Sequence, residues 1–316
     1  MCITQVAAFS DFEDEDSWAS VTDNNCYWGA SFLFIKVALE SITPITIAAG
    51  RIALAAVVLL TILRVNGVGL PGSGRHWIFI CTAAAFGNVL PFAFISLGEQ
   101  YVDSSLAAIM MAAIPLYTVL IAYFITTDEQ LTIEKLIGVI VGFVGVVILI
   151  GPSALLDLGR QTMGQLIISA GAMCYAVSGV LSRNLRDVPK LQASGAILLV
   201  ASAMIVPVAL IYDTPWTLNP SARSLFSVFV LGVLATALAQ FLVLKIIQLR
   251  DASFLSLNNY LVPIFGVFWG VVILAEAPSP NVKLAFFIIL FGVLIAQGGL
   301  GKLIKRTVTH IAKQLT

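Results

Sequence analysis

Ten apolar runs separated by short polar breaks constrain this chain more than anything else in it. They lie at residues 26–39, 43–63, 77–97, 104–126, 133–151, 163–182, 191–212, 224–244, 252–275 and 281–301, punctuated by Gly, Pro and charged residues. Nine of them approach or exceed the roughly 20 residues that carry a helix across a bilayer. The first, CYWGASFLFIKVAL, is about six residues short of that length, because DSWASVTDNN stands where further apolar residues would be. Lipid offers no partner for a free N–H or C=O, so runs of this kind must close their hydrogen bonds within helices. The expected fold class is all-α, a polytopic membrane protein of ten transmembrane helices.

Composition narrows the function classes. The 316 residues are 59% hydrophobic and 11% charged, with mean hydropathy +0.99, against about 45–50% and about 25% in soluble domains. The formal net charge is zero, which gives no basis for nucleic-acid binding and leaves membrane lipids and a small-molecule substrate as the expected partners. The acidic stretch DFEDED, Asp11 to Asp16, reads as part of a solvated tail. Cys2, Cys26, Cys81 and Cys174 lack metal-ligand or disulfide-scaffold spacing and read as packing residues, so no metal or cofactor is expected. The N-terminus has no basic region ahead of its short apolar run, and no cleavable signal peptide is expected.

Lys and Arg positions orient the chain. Arg64, Arg75, Lys135, Arg183, Arg186, Lys190, Lys245, Arg250, Lys302, Lys305, Arg306 and Lys313 fall on the side of the two tails; Lys36, Arg160, Arg223 and Lys283 fall on the other; Arg51 lies inside run 2. Basic residues in short loops stay cytoplasmic, so both termini are expected there.

The sequence also matches itself at an offset of 147 or 148. Trp28 meets Tyr175, Ser31 meets Ser178, Lys36 meets Arg183, Gln100 meets Gln248, Asp103 meets Asp251, Ser105 meets Ser253, Pro115 meets Pro263, Glu129 meets Glu276 and Gly145 meets Gly292. A single order preserved through so many uncommon residues marks an internal repeat. Each unit holds five runs, an odd number, so the second must sit upside down relative to the first, the inverted arrangement on which many secondary transporters are built. The expected organisation is an acidic cytoplasmic tail at 1–25, a first repeat at 26–151, a second at 163–301, and a basic cytoplasmic tail at 302–316.

Pro115 and Pro263 sit eleven residues into runs 4 and 9, close to mid-bilayer at ~1.5 Å per residue. Proline lacks the N–H and crowds the preceding turn, so a bend is expected at each. Irregular backbone at that depth is tolerated where it faces protein or a water-filled cavity. Two bends at symmetric depth favour a cavity over a packing kink alone.

The segments WGASFLFIKVAL, PITIAAGRIALAA, GEQYVDSSLAAIMMAAIPLYTVLIAYFITTDEQ and SLNNYLVPIFGVFWGVVILAEAPSPNVKLAFFIILFGVLIAQ carry a resemblance to a known family. From about Tyr27 to Gln297 the chain resembles the EamA family of the drug/metabolite transporter superfamily, in the order of Trp-Gly, buried Arg, two Pro and two Glu. It departs from the family pattern in the missing apolar first half of run 1. The resemblance implies a ten-helix bundle of two inverted halves in the bacterial inner membrane, moving small metabolites and often exporting amino acids.

Several polar residues inside the runs are candidates for the work. Arg51 lies ~12 Å from the outer end of run 2 by helical rise, where a charge needs a partner, water or a snorkelling path. Glu99, at the outer end of run 3, is the expected partner in an ion pair that closes the outer side in one state; the alternative is that Arg51 snorkels outward and Glu99 sits in loop water. Asn88, Gln240, Asn258 and Asn259 must face other helices or substrate, and Met110 and Met111 stand opposite the last two across the repeat. One polar and one soft wall would suit a small amphipathic solute. Trp28 and Tyr175 could stack on it or anchor at the membrane interface. Glu129 and Glu276 are expected to stay solvated and accept hydrogen bonds from the start of the next helix. Gly138, Gly142, Gly145, Gly292 and Ala296 form small-residue packing faces.

Rival classes fare worse. GASF, Gly29 to Phe32, has no base within the membrane, since His76 and His310 lie in a loop and the tail. GGLGK lacks the first Gly and the hydroxyl residue of a phosphate-binding loop. An enzyme is therefore not expected. A channel, scramblase or sensor remains the alternative, though neither a ring of like charges nor a carbonyl filter is visible. The expected function is secondary transport by alternating access, driven by a counter-solute or by protons, of amino acids or related amphipathic metabolites.

Overall fold

The structure is a computed structural model that describes residues 15–72, 74–125, 132–150, 159–240, 242 and 258–297, with side chains described from residue 22 and, in the last stretch, from residue 260. Its described elements are all helical. Helix α1 spans Glu15–Ala38 and α2 Pro44–Val65. Next come α3, Gly74–Gly98, and α4, Ser104–Ile125. They are followed by α5, Ile133–Ile150, and α6, Arg160–Leu181. Then come α7, Lys190–Asp213, and α8, Ala222–Leu238, and finally α9, Asn258–Ile273, and α10, Pro280–Ala296. Helices α2 to α7 are long and apolar enough to cross a membrane, and α8 to α10 are shorter apolar helices in their described lengths.

Local chemistry sets several of the ends. Pro44 and Pro280 sit in the first turns of α2 and α10, where a missing N–H costs nothing. Ser221 and Ser279 cap α8 and α10 by accepting from the amides of Ser224 and Val282. The first helix differs from its reading in the sequence. It begins at Glu15 and runs 24 residues, long enough to cross a bilayer at ~1.5 Å per residue, so the polar stretch assigned to the tail is partly helix. Within it Asn24 and Asn25 are fully buried against the bundle.

The prolines act unequally. In α4 the helix is interrupted at Ala112 and Ala113 and restarts at Ile114, leaving Pro115 in the first turn of the new segment. The amides of Ala112 and Ala113 fall back on Ile109 and Met110, three residues earlier. Helix α9 instead continues through Pro263 without a break. The pair of equal bends expected from the sequence is thus one break and one uninterrupted helix. Both prolines are buried.

Helices α3 and α8 carry π-helical turns at matching places, Ala85–Val89 and Val233–Leu238, and a further π turn, Ala209–Asp213, ends α7. The most extensive contacts among the described helices all join one of α1–α5 to one of α6–α10: α1 with α8 and α9, α2 with α7 and α8, α3 with α6 and α7, α4 with α6 and α9, and α5 with α10. Exchanging each helix for the one five places along leaves this set unchanged. Close approach is built in at Gly29 of α1, where an added Cβ would lie 2.8 Å from the Gly266 amide nitrogen of α9. The main apolar core runs through α1, α4, α5, α6 and α10, with Ile35, Leu116, Ile168 and Ile289 fully enclosed.

Candidate functional site

A cavity of about 390 Å³ opens in the middle of the bundle, within the size range of small-molecule sites. Trp28, Ser31, Phe32 and Ile35 face it from α1, Asn88 and Phe92 from α3, and Met111 and Ile114 from the broken stretch of α4. Tyr175 of α6, Thr236 and Gln240 at the end of α8, and Val262 and Pro263 of α9 close the other side. A second space of about 290 Å³ shares Gly87, Asn88, Tyr175, Thr236 and Gln240 with the first. It continues past Ser178 and Ser182 of α6 to Ser194 of α7, at the end of the bundle where the tails belong.

The repeat offset organises this lining. Trp28 and Tyr175, Ser31 and Ser178, Ile35 and Ser182, Gly87 and Ala235, Asn88 and Thr236, Phe92 and Gln240, and Ile114 and Val262 are all separated by 147 or 148 positions, and every one of them lines one or both spaces. The π turns of α3 and α8 both contribute, through Gly87 and Asn88 on one side and Ala235 and Thr236 on the other. Such turns leave a carbonyl outside the regular ladder and recur at functional sites.

Arg51 supplies the cavity's charge. Its side chain is buried and lines the cavity. Nε donates to Thr236 Oγ1 at 2.7 Å, and Nη2 reaches the Ala235 carbonyl at 3.4 Å. The Thr236 hydroxyl donates in turn to the Leu231 carbonyl at 2.8 Å, so its own proton is committed. One face of the guanidinium rests on Phe92, 3.8 Å from the ring centroid, a cation–π contact. The opposing residue at the repeat offset of 148 is Leu199, so the charge has no twin.

Not every candidate meets at this cavity. Trp28, Asn88, Met111, Tyr175, Gln240, Arg51 and Pro263 do. Met110 is buried in the apolar core instead. The side chains of Asn258 and Asn259 lie outside the described residues, as does Glu129. The expected Arg51–Glu99 ion pair is not formed, because Arg51 is turned toward α8 and Glu99 is fully buried with no hydrogen-bond partner at either carboxyl oxygen. Thr236 and the π turns were missed from the sequence. The match of Asn88 with Thr236 at the repeat offset was the signal that could have found them.

The end of the bundle away from the tails is closed by polar contacts. Lys36 Nζ donates to the Glu99 and Val102 carbonyls at 2.7 and 2.6 Å. The Glu276 carboxylate accepts from the Ser104 and Ser105 amides, both at 2.8 Å. It therefore serves a helix start as expected, but that of α4 rather than of the next helix. Ser224 of α8 donates to the Val37 carbonyl of α1 at 3.1 Å, and Asp213 accepts from the Thr46 amide at 2.9 Å.

Apolar spanning helices around a solute-sized polar-spotted cavity define a polytopic membrane protein suited to handling small molecules. Comparison with known proteins is specific: the model of the EamA-like transporter family matches residues 25–151 and again 162–297. The chain belongs to the EamA-like transporter family. An uncharacterized transporter of Archaeoglobus fulgidus is 24% identical over 286 residues, 88% of this chain and 97% of the relative. The uncharacterized inner membrane transporter YedA of Escherichia coli K12 is 24% identical over 277 residues, 86% and 87% of the two chains. An S-adenosylmethionine/S-adenosylhomocysteine transporter of Chlamydia trachomatis is 24% identical over 283 residues, 85% of each. A solved crystal structure superposes with a TM-score of 0.64 at 21% identity, covering 89% of this chain and 96% of that one, which speaks for the fold.

Proposed function

We propose that this protein is a secondary carrier that moves a small amphipathic metabolite by alternating access, its two halves forming inverted five-helix repeats. The observation that carries this reading is the cavity lined by repeat-matched pairs from both halves, extending toward the tail end while hydrogen bonds close the other. Substrate sites at the interface of inverted repeats are the rule for such carriers. The self-exchanging set of helix contacts supports the repeat as well. The basic-residue count supports cytoplasmic tails; on that orientation this is an inward-facing state in an inner membrane, and the family relationship favours export of amino acids or related solutes. Asn258 and Asn259 stay in the proposal as candidates for the polar wall, and Glu129 as a carboxylate serving a helix start. A counter-solute or protons supply the driving force.

Counterflow in proteoliposomes tests the carrier. Vesicles preloaded with unlabelled amino acid are expected to take up labelled amino acid faster than empty ones, with a rate that saturates. Flux that rises linearly and ignores preloading would make the protein a channel and end the carrier reading.

A further inference from the structure

Among the described residues Arg51 is the one charged side chain lining either space, and no Asp or Glu is in that lining. The Glu99 carboxyl acts on it electrostatically but lies outside the lining. A guanidinium has five N–H donors. Nε is used by Thr236 and one Nη2 donor reaches Ala235 at a long 3.4 Å, and among the described residues the guanidinium of this cavity-lining side chain makes no other hydrogen bond. Burying such a charge without an anion is costly. Thr236 and the Phe92 ring hold the group in one orientation, presenting its edge, the geometry that meets a carboxylate through two parallel hydrogen bonds.

We propose that Arg51 anchors the carboxylate of the transported solute, so that the carrier's substrates are monocarboxylates with an apolar body, free amino acids with apolar side chains among them. This rests on the carrier reading and names its substrate class. One arginine balances one carboxylate, whereas a phosphate carries nearly two charges at neutral pH and no second cation among the described residues lines the cavity. Phe32, Ile35, Ile95, Met111 and Val262 give the body an apolar wall. Neutral oxygens remain for an ammonium group: Gln240 Nε2 donates to Ser194 Oγ at 2.9 Å, which leaves its Oε1 free to accept, and Asn88 Nδ2 is turned toward the Ala83 carbonyl at 3.4 Å.

Matched ligands test the assignment on the intact protein in detergent. L-leucine, L-methionine and L-phenylalanine are each compared with the corresponding amide and the decarboxylated amine, by titration calorimetry and by ligand-induced rise in melting temperature. At least one acid is expected to bind about tenfold to a hundredfold more tightly than its amide and amine, the range of a lost charge-assisted hydrogen bond. In Arg51→Gln that preference is expected to vanish, while Arg51→Lys keeps part of it, since an ammonium retains charge but not the fork. A purely structural role for Arg51 would weaken acid and amide alike. Equal binding of acid and amide, or binding of no acid, overturns the assignment, and the wild-type comparison decides it even if Arg51→Gln fails to fold. Linear flux in the counterflow experiment together with acid-selective binding would instead sink the carrier reading and leave Arg51 as an anion site.

Discussion

Lys36 holds the closed end of the bundle by donating to two main-chain oxygens just past the end of α3, while the neighbouring Glu99 carboxyl stays enclosed without a donor. Hydrogen bonds from a charged donor are worth roughly 1.5–3 kcal/mol each, and ~1.4 kcal/mol changes an equilibrium tenfold. Lys36→Ala should therefore shift the protein toward opening at this end. A cysteine placed at Ser31, on the cavity wall, should react with an impermeant maleimide from that side about tenfold faster in the Lys36→Ala background. An unchanged rate would show that Lys36 does not hold the closure. At this scale the sequence reveals which residues are costly to bury but not whom they meet. Arg51 was legible as a buried charge from depth alone, whereas Glu99 stands just past the end of run 3 and its burial was not. Their partners were not legible either, because the rotation of each helix about its axis is set by packing against its neighbours, which hydropathy does not record. Glu276 was read correctly as serving a helix start, and only the packing of α9 beside α4 shows which one.

Elements were legible where hydropathy alone decides them, and less so where the backbone departs from the α-helical ladder. The run boundaries fall within a few residues of α2 to α7. The start of α1 does not, because polar residues such as Asn24 and Asn25 are buried by neighbouring helices rather than by lipid. The π turns in α3 and α8 leave no mark in apolar periodicity, and Pro115 breaks its helix three residues before itself at Ala112 while Pro263 does not. The α5–α10 pair follows the small-residue reading closely. A Cβ at Gly145 would stand 2.9 Å from the Ile289 amide nitrogen and 3.1 Å from the Ala285 carbonyl, main-chain atoms of α10 that cannot swing aside. Gly179 of α6 has nothing within 4 Å. Gly145→Ala should accordingly cost about 1–3 kcal/mol through overpacking, whereas Gly179→Ala should be neutral or gain up to about 1 kcal/mol from the lower helix propensity of glycine. Thermal unfolding of the two variants side by side checks this, and equal melting temperatures would show that α5 and α10 are not so close.

Over the whole molecule, the most extensive contacts among the described helices are preserved when the halves are exchanged, yet the two ends of the bundle are not in the same state. One end is tied by Lys36, Glu276, Ser224 and Asp213, and toward the other the cavity continues to Ser182 and Ser194. On the proposed carrier reading, the two halves exchange those states, which opens the tied end and closes the other without a new fold. That proposed cycle gains a direction only from the orientation of the protein, which rests on the Lys and Arg count. Two exposed positions on opposite faces decide it. Trp216, in the turn between α7 and α8, is 69% exposed. Asp187, between α6 and α7, has 75% of its side chain exposed and pairs with His76 at 3.3 Å, a surface contact worth little. In a variant with all four native cysteines replaced, Trp216→Cys should label with an impermeant maleimide in intact spheroplasts, and Asp187→Cys only after the membrane is permeabilised. The reverse pattern would place the tails outside and make this state outward-facing. Labelling of both in intact cells would mean that α7 does not cross the membrane, and with it the two-repeat architecture would fall.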